Sequence, residues 1–168
     1  MSRTTGNHTQ IKNKIAEYQR KVQNIRSRIG NLSGQIEEYS RCIQKVQEEI
    51  IQYQEQIRQL EQRIESLRQA LEKVKDMKRK FDDNYRRRKG KEFQRACRVF
   101  DNSQTMIKRR MEELLQQIEQ LKQRIRECET RINDYQYHIN LANQSMSGLN
   151  GEISGYENTI RMLQSQLK

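Results

Sequence analysis

The chain has 168 residues, an apolar fraction of 33%, no proline, no tryptophan and a net charge of +11. Globular domains are roughly 45–50% apolar, so this composition excludes a thick core, whereas a coiled-coil seam needs two apolar positions in seven, about 29%. Three cysteines and two histidines do not make a disulfide framework, and they are too few for a metal site.

The opening residues, Met1 to His8, lack the apolar core of a secretory signal. No stretch approaches the roughly 18 consecutive apolar residues of a membrane span. The expectation is a chain made in the cytoplasm, with no transmembrane segment; co-export by a route that needs no cleaved signal stays open.

Periodicity decides the fold. Alternate steps of four and three residues from Ile11 reach Ile15, Tyr18, Val22, Ile25, Ile29, Leu32, Ile36, Tyr39, Ile43, Val46, Ile50, Tyr53, Ile57, Leu60, Ile64, Leu67, Leu71 and Val74 without one polar stop. Lys78 follows, then Phe81 and Tyr85. The pattern halts at Arg86-Arg87-Arg88-Lys89-Gly90-Lys91-Glu92. It resumes at Phe93 and runs through Cys97, Phe100, Gln104, Ile107, Met111, Leu114, Ile118, Leu121, Ile125 and Cys128. From there it continues through Ile132, Tyr135, Ile139, Ala142, Met146, Leu149, Ile153, Tyr156, Ile160, Leu163 and Leu167. Two equal arms joined by a short break predict antiparallel neighbours.

The expected fold is therefore all-α: one long antiparallel two-helix coiled-coil hairpin over residues 1–168. Arm one covers about 9–85, a basic turn covers 86–92, and arm two covers about 93–168. Folding at the break gives facing residues whose numbers sum to 178. Tyr85 then meets Phe93, Tyr18 meets Ile160 and Tyr39 meets Ile139. A one-heptad slip also satisfies the tyrosines but loses the Tyr85–Phe93 closure. β-Branched residues hold eight of the nine positions spaced by sevens from Ile15 to Leu71. That usage also suits an extended parallel dimer, and two hairpins pairing into a homodimeric four-helix bundle is a third arrangement.

Glycines cluster at Gly30 and Gly34 and again at Gly148, Gly151 and Gly155. Each weakens a helix, so a soft point is expected there, either as a hinge or partner-docking site or as a merely weakened helix. Lys78 and Gln104 are the two clearly polar seam stops. They read as register-setting residues, with Lys78 facing Phe100 and Gln104 facing Val74, because a polar seam position fixes pairing at a cost in stability.

Charge gathers near the break. Residues 72–110 hold fifteen Lys/Arg and six Asp/Glu, a balance of +9 out of +11. Arg86, Arg87, Arg88, Lys89, Gly90 and Lys91 form the candidate partner- or anion-contacting tip. Such a tip suits an acidic protein surface, nucleic-acid phosphates or anionic headgroups, or serves only as a solvated loop. No P-loop, nucleophile elbow, dinucleotide fingerprint or paired-carboxylate pocket is present. The expectation is a protein that is not an enzyme and uses no cofactor.

The layout resembles the WXG-type helical hairpins of type VII secretion, and more closely the YwqH-like proteins associated with LXG toxins. Their two helices are joined by a turn holding W-x-G or a relic of it. Here Gly90 stands for the motif glycine, while Arg88 occupies the tryptophan position. No tyrosine has an acidic residue four positions later, so the Y-x-x-x-[D/E] export pattern is missing. The resemblance implies an adaptor, chaperone-like towards the helical N-terminal domain of a toxin. The alternatives are a coiled-coil protein that grips nucleic acid with its basic tip, and a purely structural rod.

Overall fold

The computed structural model describes residues 2–85 and 90–168. Two helices account for nearly all of them: α1 (Ser2–Tyr85) and α2 (Lys91–Gln166). They pack against each other as an all-α helical hairpin. Every seam position read from the sequence is buried or half-buried from Ile11 to Phe81 and from Phe93 to Leu167, Lys78 and Gln104 included. Tyr85 departs, at 39% exposed.

Both helices begin earlier than the periodicity predicts. α1 starts at Ser2 rather than near residue 9. Residues 2–10 carry no seam side chain, but once a helix is nucleated each added residue gains a hydrogen bond at little further cost, and no proline stops it. Lys91 and Glu92, expected in the turn, are the first residues of α2. Gly90 precedes them as a bend, and the Gln94 amide donates to its carbonyl at 3.1 Å. That bond makes Gly90 the N-cap, a position glycine tolerates well. Glu92 then places a carboxylate in the first turn, where the helix dipole favours it. The turn residues Arg86, Arg87, Arg88 and Lys89 lie outside the described residues.

The packing divides into two compact units. The first combines Met1–Val46 with Arg131–Lys168. Ile11, Ile15, Val22 and Ile25 of α1 and Ile139, Ala142 and Leu149 of α2 are its buried seam, together with Val46 at 1% exposed. Tyrosine meets tyrosine across this seam. The Tyr18 and Tyr156 rings lie 5.6 Å apart, and the Tyr39 and Tyr135 rings 5.9 Å apart, both tilted. The order is antiparallel, since the partner of the later residue on α1 is the earlier one on α2. Lys21 Nζ sits 5.3 Å from the Tyr18 ring and 5.7 Å from the Tyr156 ring, so one cation caps both faces. Arg26 crosses to Glu157 at 3.1 Å.

The second unit is Gln47–Thr130. Its core is Ile64, Leu114 and Ile118, with Ile57, Leu60, Leu67 and Met111 packed around them. Phe81 centres an aromatic cluster, 4.9 Å from Tyr85, 5.4 Å from Phe93 and 5.5 Å from Phe100. The buried Cys128 thiol donates to Glu49 at 3.6 Å. None of the three cysteines forms a disulfide.

The ring pairs correct the expected facing of the tyrosines. Tyr18–Tyr156 and Tyr39–Tyr135 each sum to 174, where 178 was expected and would have set Tyr18 against Ile160 and Tyr39 against Ile139; Phe81 touches both Phe93 and Phe100 and does not separate the two offsets. Apolar spacing alone does not separate these arrangements: alternating sums of 174 and 175 also put seam stops opposite seam stops. Aromatic geometry does separate them, because an offset or tilted ring pair is worth about 0.5–1.5 kcal/mol beyond the area it buries.

Candidate interaction surfaces

Of the sequence-predicted tip, Gly90 and Lys91 are described and both are exposed. Gly90 caps α2, and Lys91 opens it.

Lys78 is half-buried at its seam position. Its ammonium donates to Asp101 Oδ1 of α2 at 2.7 Å. That hydrogen bond, then the attraction of the same carboxylate, holds the lysine above its ordinary pKa. Cys97 of α2 also acts on the charge. Gln104 is half-buried. The cation thus ties α1 to α2 by a directional contact that apolar seam pairs do not supply.

The glycine clusters are continuous helix. Gly30, Gly34, Gly148, Gly151 and Gly155 are exposed and helical, and none has a positive φ. A Cβ built on any of them meets nothing within 4 Å. Neither a turn nor a close approach inside the chain requires them.

A second apolar column was not singled out from the sequence. On α2 of the first unit, Leu141, Gly148, Gly155 and Met162 recur at every seventh residue. Each stands one position before a seam residue, rotated about 100° from it at 3.6 residues per turn. Leu141 is 42% exposed and Met162 66%. Tyr137, one turn before Leu141, is 61% exposed. The signal was the seven-residue recurrence. The stronger seam hid it, because two of its four members are glycines.

The groove beside this column is lined by Arg28, Asn31, Leu32, Ser145, Gly148, Leu149 and Glu152. An arginine and a glutamate are its ionisable groups, with no histidine or thiol to activate the serine. His138 stacks on Tyr39 at 5.5 Å. Among the described residues no three His, Cys, Asp or Glu side chains gather as a metal site, and no helix is long and apolar enough to cross a membrane. No family model matches the chain, and no match is found among curated proteins or among solved structures.

Proposed function

We propose that the chain is a non-enzymatic helical adaptor that docks a second helical protein on the outward face of α2 between Tyr137 and Met162. The observation that carries this reading is the exposure of Tyr137, Leu141 and Met162 around a stretch whose glycines lack a Cβ. Large apolar side chains at helical spacing supply anchors for a helix laid alongside. The small residues between them let a partner backbone come close.

The resemblance to WXG-type and YwqH-like hairpins supports a finer identity for the partner, the helical N-terminal domain of an LXG-type toxin in type VII secretion. The two-helix layout and the glycine that caps α2 support it; Arg88 at the tryptophan position departs from the pattern. The test is purification of the full chain from its native host, beside a Leu141→Glu/Met162→Glu variant. The wild type should bring down one helical protein in a fixed ratio, and the variant should lose it while keeping its helical circular dichroism. Recovery of the wild type solely as free protein or as a self-assembly overturns the reading.

A further inference from the structure

We propose that the second unit carries a binding site for the phosphate backbone of a nucleic-acid duplex, on the face of α2 turned away from its seam. Steps of four and three residues from Lys91 reach Arg95, Arg98, Asn102, Thr105 and Arg109, and all six are exposed. These steps interleave with the seam stops Phe93, Cys97, Phe100, Gln104 and Ile107, so the two rows occupy different faces of one helix. The row spans 19 residues, 18 rises of 1.5 Å or about 27 Å, which is close to eight steps of a duplex at about 3.4 Å each.

Its charge is unspent among the described residues. Elsewhere in this unit Arg58 pairs with Glu55, Arg68 with Glu65, Lys75 with Glu72, Arg79 with Asp76 and Arg110 with Glu113. Lys91, Arg95, Arg98 and Arg109 make no ion pair with any described residue. Glu92 stands beside the row at one end and Glu112 at the other, and Asp101 flanks its middle with its carboxylate paired to Lys78. Thr105 donates its hydroxyl proton to the Asp101 carbonyl, which leaves Asn102 as the neutral donor. Arginine, lysine and asparagine are side chains that contact phosphate oxygens.

The neighbouring surface favours this ligand over other anions. Val99 and Met106, 63% and 69% exposed, stand beside the row seven residues apart. Two separate apolar side chains are too few for the buried apolar face that membrane adsorption needs. The row also lacks the aromatic anchors around which protein interfaces are built. No aromatic ring lies along it to stack unpaired bases, which points to a duplex rather than a single strand. This reading uses a different surface from the protein-docking face and stands independently of it.

The experiment is fluorescence anisotropy of a labelled, mixed-sequence DNA duplex of about twenty base pairs, titrated with the full chain between about 25 and about 200 mM KCl. Four engaged cations give a slope of log K against log[salt] near −0.9 per cation, about −3.6 in all. An Arg95→Gln/Arg98→Gln/Arg109→Gln variant should lower the steepness by about 2.7. An Arg58→Gln/Arg68→Gln/Arg79→Gln variant removes as much charge from ion-paired positions and should leave the slope near the wild-type value. Absence of binding at the lowest salt overturns the proposal. So does an equal loss in both variants, or an unchanged slope in the first, which would assign binding to the cations at 86–89. Tighter binding to poly-glutamate or to phosphatidylserine vesicles than to the duplex overturns it in favour of an acidic protein or a membrane.

Discussion

Replacing Gly30, Gly34, Gly148, Gly151 and Gly155 together by alanine should stabilise the protein substantially. All five sit in helix with ordinary φ, and a new methyl group at each meets nothing within 4 Å. The substitution therefore adds no clash and little new contact; it acts on the backbone entropy of the unfolded chain. Each glycine costs about 0.8–1.0 kcal/mol relative to alanine in a helix interior, so the five together amount to about 4–5 kcal/mol. For a chain of this size that is roughly 8–20 °C in Tm. Urea unfolding followed by circular dichroism at 222 nm is the assay. The midpoint should rise with the m-value unchanged, because the surface exposed on unfolding is nearly the same. An unchanged or lower midpoint with native helicity would refute the reasoning, since it would mean that these backbones are not held as plain exposed helix.

Leu114 and Leu115 are a paired test of the seam. Leu114 is 1% exposed and Leu115 50%, so Leu114→Ala should cost about 2–5 kcal/mol while Leu115→Ala stays within about 0.5 kcal/mol; comparable losses at both would reject the observed heptad phase. A double-mutant cycle on Tyr18 and Tyr156 should return a coupling of about 0.5–1.5 kcal/mol, with a weaker coupling between Tyr18 and Ile160; the reverse order would restore the register expected from spacing. The pH dependence follows from two ion pairs. Lys78 has its pKa raised by Asp101, so its contribution is complete below the ordinary lysine value of about 10.4 and fades as pH climbs through the raised one. Asp101→Asn should abolish that part of the alkaline decline in urea midpoint, and identical wild-type and variant curves would count against the contact. Glu55 is held low by its hydrogen bond to Arg58. Its contribution is present above the ordinary carboxylate value of about 4.3 and fades as pH falls through the lowered one, a limb that Arg58→Gln should remove.

Much of this is legible in the sequence alone. The alternation of fours and threes marked the seam residues of both helices, because a helix buries one stripe and the stripe must be apolar. The break near Gly90 was legible for a related reason: the pattern stops there, and a glycine stands where α2 needs a cap. Less visible were Lys91 and Glu92 as helical residues, since neither occupies a seam position. The column through Leu141 and Met162 was hidden by the glycines between them. The cation row from Lys91 to Arg109 is hidden in the sequence because its members stand three and four apart among other charges, and only the helix brings them to one face.

The linear order of residues determined that two helices form and which stripe of each is buried, because backbone hydrogen bonds and apolar spacing are local properties of a chain without proline. It left the pairing of those stripes open, since several offsets bury the same greasy positions. Tertiary structure decided that: tilted tyrosine rings at Tyr18–Tyr156 and Tyr39–Tyr135 and the Lys78–Asp101 bond are directional. A directional contact distinguishes offsets that burial alone leaves nearly equal in energy.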